Sequence, residues 1–549
     1  MRHEPRTRRR LLALGCALIF LAALAQSRPA DAAQDYWPTE TWREATPESQ
    51  GMESRLLLDM MARLRERAPA LHSLMIVRNG YIVTEVYFHP FAQGDLHITE
   101  SVAKSVTSAL VGIALDQGAI GGLGQSVLEF FPERAVSGGR DDKAAISLEH
   151  LLTMTSGLET RDSYLYRHEG FFRMLESPDW VQHVLDRPLA RTPGETFDYS
   201  NGGAHLLSAV LQSATGTRAL DFARTQLFGP LGITAVAWAS DPQGITIGEG
   251  QLMLSPRDMA KFGLLYLNRG RWDGRQLVSE SWIEASTVKQ VPAEPVQGYG
   301  YLWWVDPAGY YLAMGHRGQF IFVVPDKALV MVATGDLGDS QFFAPKRLLD
   351  RFVIPAAVST APLPEQPELV RALRTAAARF ARAPEGGVTW SDVPEGRAEA
   401  GVYSHTAPVG FSFSYPKASQ KRRTYPHQVM AMTTPMEGAF AAAVGEVPEG
   451  RALADFGPQH FAAILGEQGA EIELRAHRPL TLADGTPAYR TDIDWRKSGS
   501  FAMRSLAVSA YRAGHWVTVS YATPAVYHEA TLEAVLLEGE AIVESLVFD

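Results

Sequence analysis

The sequence predicts a mixed α/β fold of the α+β kind: an antiparallel sheet flanked by helices with a helical subdomain inserted, then a separate C-terminal α+β domain. Three observations predict it. Strand-like apolar runs gather at the two ends of the first 357 residues, and helical patterns fill the middle. A Pro-rich stretch from Val358 to Pro367 then divides this part from a remainder of different character. At 549 residues the chain is too long for one ordinary domain.

The elements follow in chain order. MRHEPRTRRR and then LLALGCALIFLAALA form a basic region before an apolar run too short for a confident membrane span, so residues 1–33 read as a signal peptide. Thr7-Arg8-Arg9-Arg10-Leu11-Leu12 also resembles a twin-arginine export signal, and an uncleaved anchor is the alternative reading. Export predicts a periplasmic or secreted protein without stable membrane insertion once the signal is cleaved. Residues 35–357 are expected to form the first domain. It opens with a helix from Met52 to Arg67 and two strands, LHSLMIVR and YIVTEVYF, flanking Asn79-Gly80, the strongest short hairpin signal. A helix from Ser101 follows, then several helices and turns to about Gly250. RDMAKFGLLYLNRG predicts an amphipathic helix closed at Asn268 to Gly270. YGYLWWV, QFIFVVP and ALVMVATG supply the closing strands.

Residues 358–389 read as a linker with a short Ala/Arg helix. In the C-terminal domain, residues 390–549, the runs FSFSYP, EIELRAHRPL, AYRTDIDWR, SLAVSAYR and HWVTVSYA look like strands. PQHFAAILGEQ and ATLEAVLLEGEAIVESL look like helices. The role of this domain is not written in its sequence.

Charge and cysteine usage exclude several functions. Without residues 1–33 the chain keeps 45 basic against 59 acidic residues, which disfavours nucleic acid as a partner. Cys16 is the only cysteine and lies in the apolar run, so the mature chain has no disulfide, no thiolate nucleophile and no Cys-based metal site. No metal and no cofactor is expected.

The chemistry is carried by the helix from Ser101 to Asp116, SVAKSVTSALVGIALD, whose only cation is Lys104. An ammonium taken out of water is costly unless it is paired or its pKa falls. Positions i and i+3 share a helix face, so the Ser101 hydroxyl and the Lys104 amine meet as nucleophile and proton acceptor. The bland alternative is that Ser101 only caps the helix while Lys104 snorkels outward. S-x-x-K also occurs at Ser286–Lys289 and Ser414–Lys417, but only Ser101 opens a long apolar helix. Downstream, Tyr199 and Asn201 lie in a loop ahead of the helix GGAHLLSAVLQSATG, where side chains can be aimed at a cleft. Tyr266-Leu267-Asn268 repeats that spacing, but it ends an amphipathic helix, so Tyr266 reads as core and Asn268 as a cap. Gly315-His316-Arg317-Gly318-Gln319 stands just before FIFVVP, where a glycine entering a strand permits close approach. The Gln319 amide together with the Ser101 amide would then face an oxyanion, with His316 near the tyrosine or lysine. Lys497-Ser498-Gly499 falls at a polar hairpin tip of the C-terminal domain.

As a set, SVAK, LLTMTSGL, PGETFDYSN, SPRDMAKFGLLYLNRGRWDG, YGYLWW and GHRGQ resemble the serine β-lactamase and penicillin-binding-protein family. They most resemble its class C-like hydrolases, which include esterases, D-amino-acid peptidases and 6-aminohexanoate-dimer hydrolases. The resemblance covers roughly residues 35–360 and implies a β-lactamase-like fold with its site between an α/β and a helical domain. It implies Ser101 as the acylated nucleophile, Lys104 as its general base, Tyr199 as the proton relay to the leaving group, and Asn201 as a holder of substrate or of Lys104. His316 takes the place where β-lactamases carry lysine in K-T-G, and Gln319 the place of the second oxyanion amide after Gly318. A histidine of ordinary pKa is mostly neutral near pH 7, so it meets a β-lactam carboxylate poorly. The expected function is hydrolysis of a small-molecule or peptide-like ester or amide through an acyl-enzyme. The rivals are a DD-peptidase or weak β-lactamase, and a non-catalytic binding protein that retains the fold.

Overall fold

The computed structural model describes residues 36–67, 70–162, 169–382, 396–399, 402–406, 409–416, 419–421, 428–434, 438–466, 470–497, 502–525 and 529–548. The segment expected as a signal peptide lies outside them. Helix α1 (Ser54–Arg67) buries Leu57, Met60, Met61 and Leu64 along one stripe. Strands β1 (Leu71–Arg78) and β2 (Tyr81–Tyr87) pair antiparallel with Arg78 opposite Tyr81. Asn79 at φ 51 and Gly80 at φ 84 make the two-residue turn that the Asn-Gly pair predicts. Short β3 (His97–Ile98) leads into helix α2 (Val102–Asp116). The middle of the chain is helical and contains α3 (Asn201–Thr215), followed by strands β4 (Ala237–Trp238) and β5 (Leu252–Leu254) and helix α4 (Pro256–Leu267).

Four strands complete the main sheet: β6 (Trp304–Asp306), β7 (Tyr310–Gly315), β8 (Gln319–Val324) and β9 (Leu329–Gly335). The order is β2-β1-β9-β8-β7-β6, every pair antiparallel, so the two ends of the domain interleave as expected. YGYLWWV forms a strand only from Trp304, because Leu302 turns at φ 60. Strands β8 and β9 are buried throughout, and strands of that kind need cover on both faces. On one face Gly263 of α4 presses on Ile321 and Val330 so tightly that a Cβ would sit 2.7 Å from Val330. On the other face Phe320 and Phe322 stack, and Phe342 packs on Phe320.

After the helix α5 (Ala344–Leu348), which continues as a helical run to Ala356, comes α6 (Pro367–Phe380). This is the helix expected within a linker. It is instead fixed to the first domain: Val370 and Leu373 are buried, Phe380 packs on Phe88, and His89 N donates to Phe380 O at 2.8 Å.

The C-terminal region builds two further sheets. One has four strands, ordered 396–399, 402–405, 411–414 and 547–548. The other has seven, ordered 420–421, 428–433, 439–446, 515–524, 503–512, 487–497 and 470–481. Helices Leu453–Gly466 and Glu529–Val543 accompany them. Tyr403, Phe411, Phe413, Phe440, Val519 and Tyr521 belong to a hydrophobic core of its own. Residues 38–549 nevertheless form one compact unit. One contact between the two parts falls near the nucleophile helix. In β3, His97 and Ile98 lie opposite Leu254 and Met253 of β5, and the Ile98 N–H is received by Gln420 Oε1 at 2.5 Å.

Candidate active site

Ser101 occupies the N-cap position of α2 at φ −67, ψ −1, yet its side chain caps nothing. Its hydroxyl oxygen instead accepts from Lys104 Nζ at 2.9 Å. The capping alternative for Ser101 is therefore overturned. Lys104 does not snorkel either, being 1 % exposed. An ammonium has three donors, and here each has an acceptor: Ser101 Oγ, Asn201 Oδ1 at 2.8 Å and the Glu249 carbonyl at 2.8 Å. The Ser286–Lys289 copy of S-x-x-K lacks this geometry. Ser286 donates to Ile283 O, and Ser414 ends a C-terminal strand, with Lys417 outside the described residues.

Asn201 is the first residue of α3, and Ser200 caps that helix by accepting from Gly203 N at 2.9 Å. The cap fixes the loop that carries Tyr199, whose ring centroid lies 5.0 Å from Lys104 Nζ and stacks with Trp304 at 6.1 Å. The decoy Tyr266 is 1 % exposed and packs on Trp303, while Asn268 Nδ2 donates back to Leu264 O. Both assignments made from the helix pattern hold.

The GHRGQ segment requires a correction. Residues His316–Gly318 form a one-turn 3-10 helix with Arg317 at φ 62, ahead of β8. Both side chains are exposed, and Arg317 Nε pairs with Asp336 Oδ1 at 2.7 Å. Gly318 packs on Leu337, and the Gln319 side chain donates to Gly335 O at 2.7 Å. The glycine beside Ser101 is Gly315, where a Cβ would lie 2.3 Å from Thr99 O and 3.1 Å from Ser101 N. Gln319 stands opposite Gly315 in the neighbouring strand β8, one strand nearer the centre of the sheet. Of Lys497-Ser498-Gly499, only Lys497 is described, at the end of a C-terminal strand.

Five contributors carry no motif: Asp162, Arg187, Glu249, Gly248 and Thr107. Asp162 Oδ2 accepts the Asn201 N–H at 2.7 Å, and Arg187 reaches Asp162 at 3.8 Å. Burial pushes the Asp162 pKa up, against the pull of Arg187, the Asn201 amide and Lys104. Glu249 lends its carbonyl to Lys104 while its own carboxyl is buried, with Oε2 lacking a hydrogen-bond partner. Gly248 is wedged against Ala204 of α3, and Thr107 of α2 donates to Gly248 O at 2.9 Å, which pins the segment between the two helices. Among the described residues, no group of three His, Cys, Asp or Glu side chains is spaced to hold a metal ion.

Burial also raises the Glu249 pKa, opposed by His205 and Lys104. A carboxyl whose pKa rises on folding contributes most to stability below its unfolded pKa, and that contribution is lost as pH climbs through the folded one. The uncharged isostere Glu249→Gln is expected to melt above wild type at about pH 8, with the gain vanishing toward about pH 4. Circular dichroism melts across pH check this. A variant that melts below wild type at alkaline pH would show that the carboxylate is compensated.

The beta-lactamase family profile matches residues 68–349, just over half of the chain. The chain belongs to the beta-lactamase family. This is a family of hydrolytic serine enzymes, and the beta-lactamase match spans Ser101, Lys104, Tyr199, Asn201 and Gly315. Among curated relatives, the 6-aminohexanoate-dimer hydrolase of Paenarthrobacter ureafaciens is 24% identical over 299 residues, 50% of this chain and 74% of that one. Solved beta-lactamase-like neighbours include EstCE1, a hydrolase with promiscuous acyltransferase activity, at 16% identity and TM-score 0.46, covering 56% of this chain and 99% of that one. A penicillin-binding protein homologue from Caulobacter crescentus aligns at 14% identity and TM-score 0.43, covering 62% and 99%.

Proposed function

We propose that the protein is an exported serine hydrolase that cleaves an ester or amide through an acyl-enzyme on Ser101. The observation that carries this reading is the 2.9 Å approach of Lys104 Nζ to Ser101 Oγ, with that amine held by two further acceptors. In its neutral form Lys104 takes the Ser101 proton as Oγ bonds to the substrate carbonyl carbon. Tyr199, beside the same amine, passes a proton to the departing alcohol or amine as the C–O or C–N bond breaks. Water then attacks the acyl group, its proton returns through Lys104, and Ser101 leaves with its hydroxyl restored. The Ser101 N–H and the backbone beside Gly315 are suited to meet the oxyanion.

Esters and amides without a carboxylate next to the scissile bond suit this site better than β-lactams. The Arg317 guanidinium is engaged by Asp336, and His316 replaces a permanent cation. The basic-then-apolar leader supports action outside the cytoplasm, on a small-molecule or peptide-like substrate. Incubation with a fluorophosphonate is expected to add one covalent phosphonyl group to wild type and none to Ser101→Ala, read by intact mass. Short-chain nitrophenyl esters are expected to turn over well ahead of nitrocefin. Nitrocefin as the faster substrate would favour a β-lactamase or peptidase. No adduct under any condition would favour a binding protein.

A further inference from the structure

On the far end of α1 from its start at Ser54, four arginines line one cleft of about 730 Å³: Arg63 and Arg67 from α1, Arg347 from α5 and Arg351 from the helical turn that continues it. Each pair is spaced i, i+4, a separation at which like charges on a helix repel. None of the four has a close carboxylate partner within the cleft among the described residues. Arg63 has a long 3.4 Å pair with exposed Glu66, while Arg67, Arg347 and Arg351 have no carboxylate within 4 Å among the described residues. Asp350 also lines the cleft, but its two oxygens are already held by Tyr310 OH and Lys346 Nζ. Leu64 and Leu348 give the cleft an apolar floor, and Ser340 and Gln341 add neutral polar groups at its rim.

The surroundings extend the same sign. Helix α6, packed on α1, carries Arg371, Arg374 and Arg379 against a single acid, Glu368. This is unexpected in a chain whose net charge is −10. Helix C-termini favour cations, and that accounts for Arg65 and Arg67 at the end of α1. Arg347 and Arg351 stand in the last turns of their own helical segments, and what the dipole leaves unexplained is that the two pairs line one cleft.

We infer that this cleft is a binding site for a multiply charged phosphoryl anion, separate from the Ser101 centre. A single carboxylate would leave most of the four guanidinium charges unanswered. A phosphate monoester or pyrophosphate brings two or more charges and several oxygens that arginine forks engage in pairs. Phosphoryl chemistry of this kind is offered by a free phosphate compound or by a lipid headgroup that ends in a phosphate monoester.

The test uses the full chain and compares wild type with Arg347→Gln/Arg351→Gln, both side chains being exposed. Calorimetric titration with pyrophosphate at low salt reads the first source, and co-sedimentation with phosphatidic acid vesicles, whose headgroup is a phosphate monoester, against phosphatidylcholine vesicles reads the second. Saturable binding of either probe by wild type, weakened at least about tenfold in the double variant and screened away at high salt, is the expected result. Pyrophosphate binding assigns the free anion, and phosphatidic acid binding alone assigns the headgroup. The double variant is expected to keep the wild-type melting temperature and ester turnover. Absence of binding to both probes, or binding unchanged in the double variant, overturns the inference.

Discussion

Lys104→Ala is expected to lower kcat/KM by about a thousandfold or more while the chain stays folded, the scale at which a positioned general base contributes. The substitution removes the only donor shown to meet Ser101 Oγ, Asn201 Oδ1 and the Glu249 carbonyl at once. Nitrophenyl ester turnover and far-UV circular dichroism of the same sample check the two halves of the expectation. Wild-type-like turnover in a folded variant would take Lys104 out of the chemistry. Loss of the fold would instead mean that the amine is chiefly structural, and Lys104→Met, which fills the space without the charge, separates that outcome from the first.

The largest stability effect is expected at Arg187, remote from any motif. Its guanidinium donates to Gly170 O at 2.7 Å and Thr160 O at 3.3 Å and lies 3.8 Å from the buried Asp162 carboxylate. Removing one partner of such a buried pair typically costs about 3–5 kcal/mol. Arg187→Leu is therefore expected to lose stability on that scale in urea denaturation. The sign of its pH dependence follows from Asp162, whose pKa burial already raises. Without the opposing cation the carboxyl holds its proton more tightly, so the loss grows as pH rises through neutrality and shrinks in acid. Arg187→Leu/Asp162→Asn is expected to recover part of it. A loss below about 1 kcal/mol, independent of pH, would show that water already solvates this carboxylate.

What was legible in the sequence was chiefly what local geometry dictates. The Ser101–Lys104 contact follows from helix pitch, the hairpin from Asn79-Gly80, and the core role of Tyr266 from its place on an amphipathic helix. The rest depends on atoms with no sequence signature. Glu249 reaches Lys104 through a backbone carbonyl, which any residue possesses. Gly315 and Gly318 stand three residues apart, and only the approach to Ser101 N tells them apart. The turn at His316–Gly318 rests on Arg317 in a left-handed conformation, which arginine rarely takes and its letter does not announce. Strands 428–433 and 439–446 went unread because QVMAMT and AFAAAVGE are rich in alanine and methionine rather than the β-branched and aromatic residues that mark strands.

The Ile98 amide held by Gln420 ties the short strand ahead of the nucleophile to a domain that supplies none of the catalytic groups proposed here. Sequence change in the C-terminal domain thus has a route to the reaction rate that bypasses the substrate cleft. Evolution could retune such a hydrolase by exchanging its tail module alone, and a recombinant fragment ending after Phe380 would carry an unanswered amide three residues before Ser101.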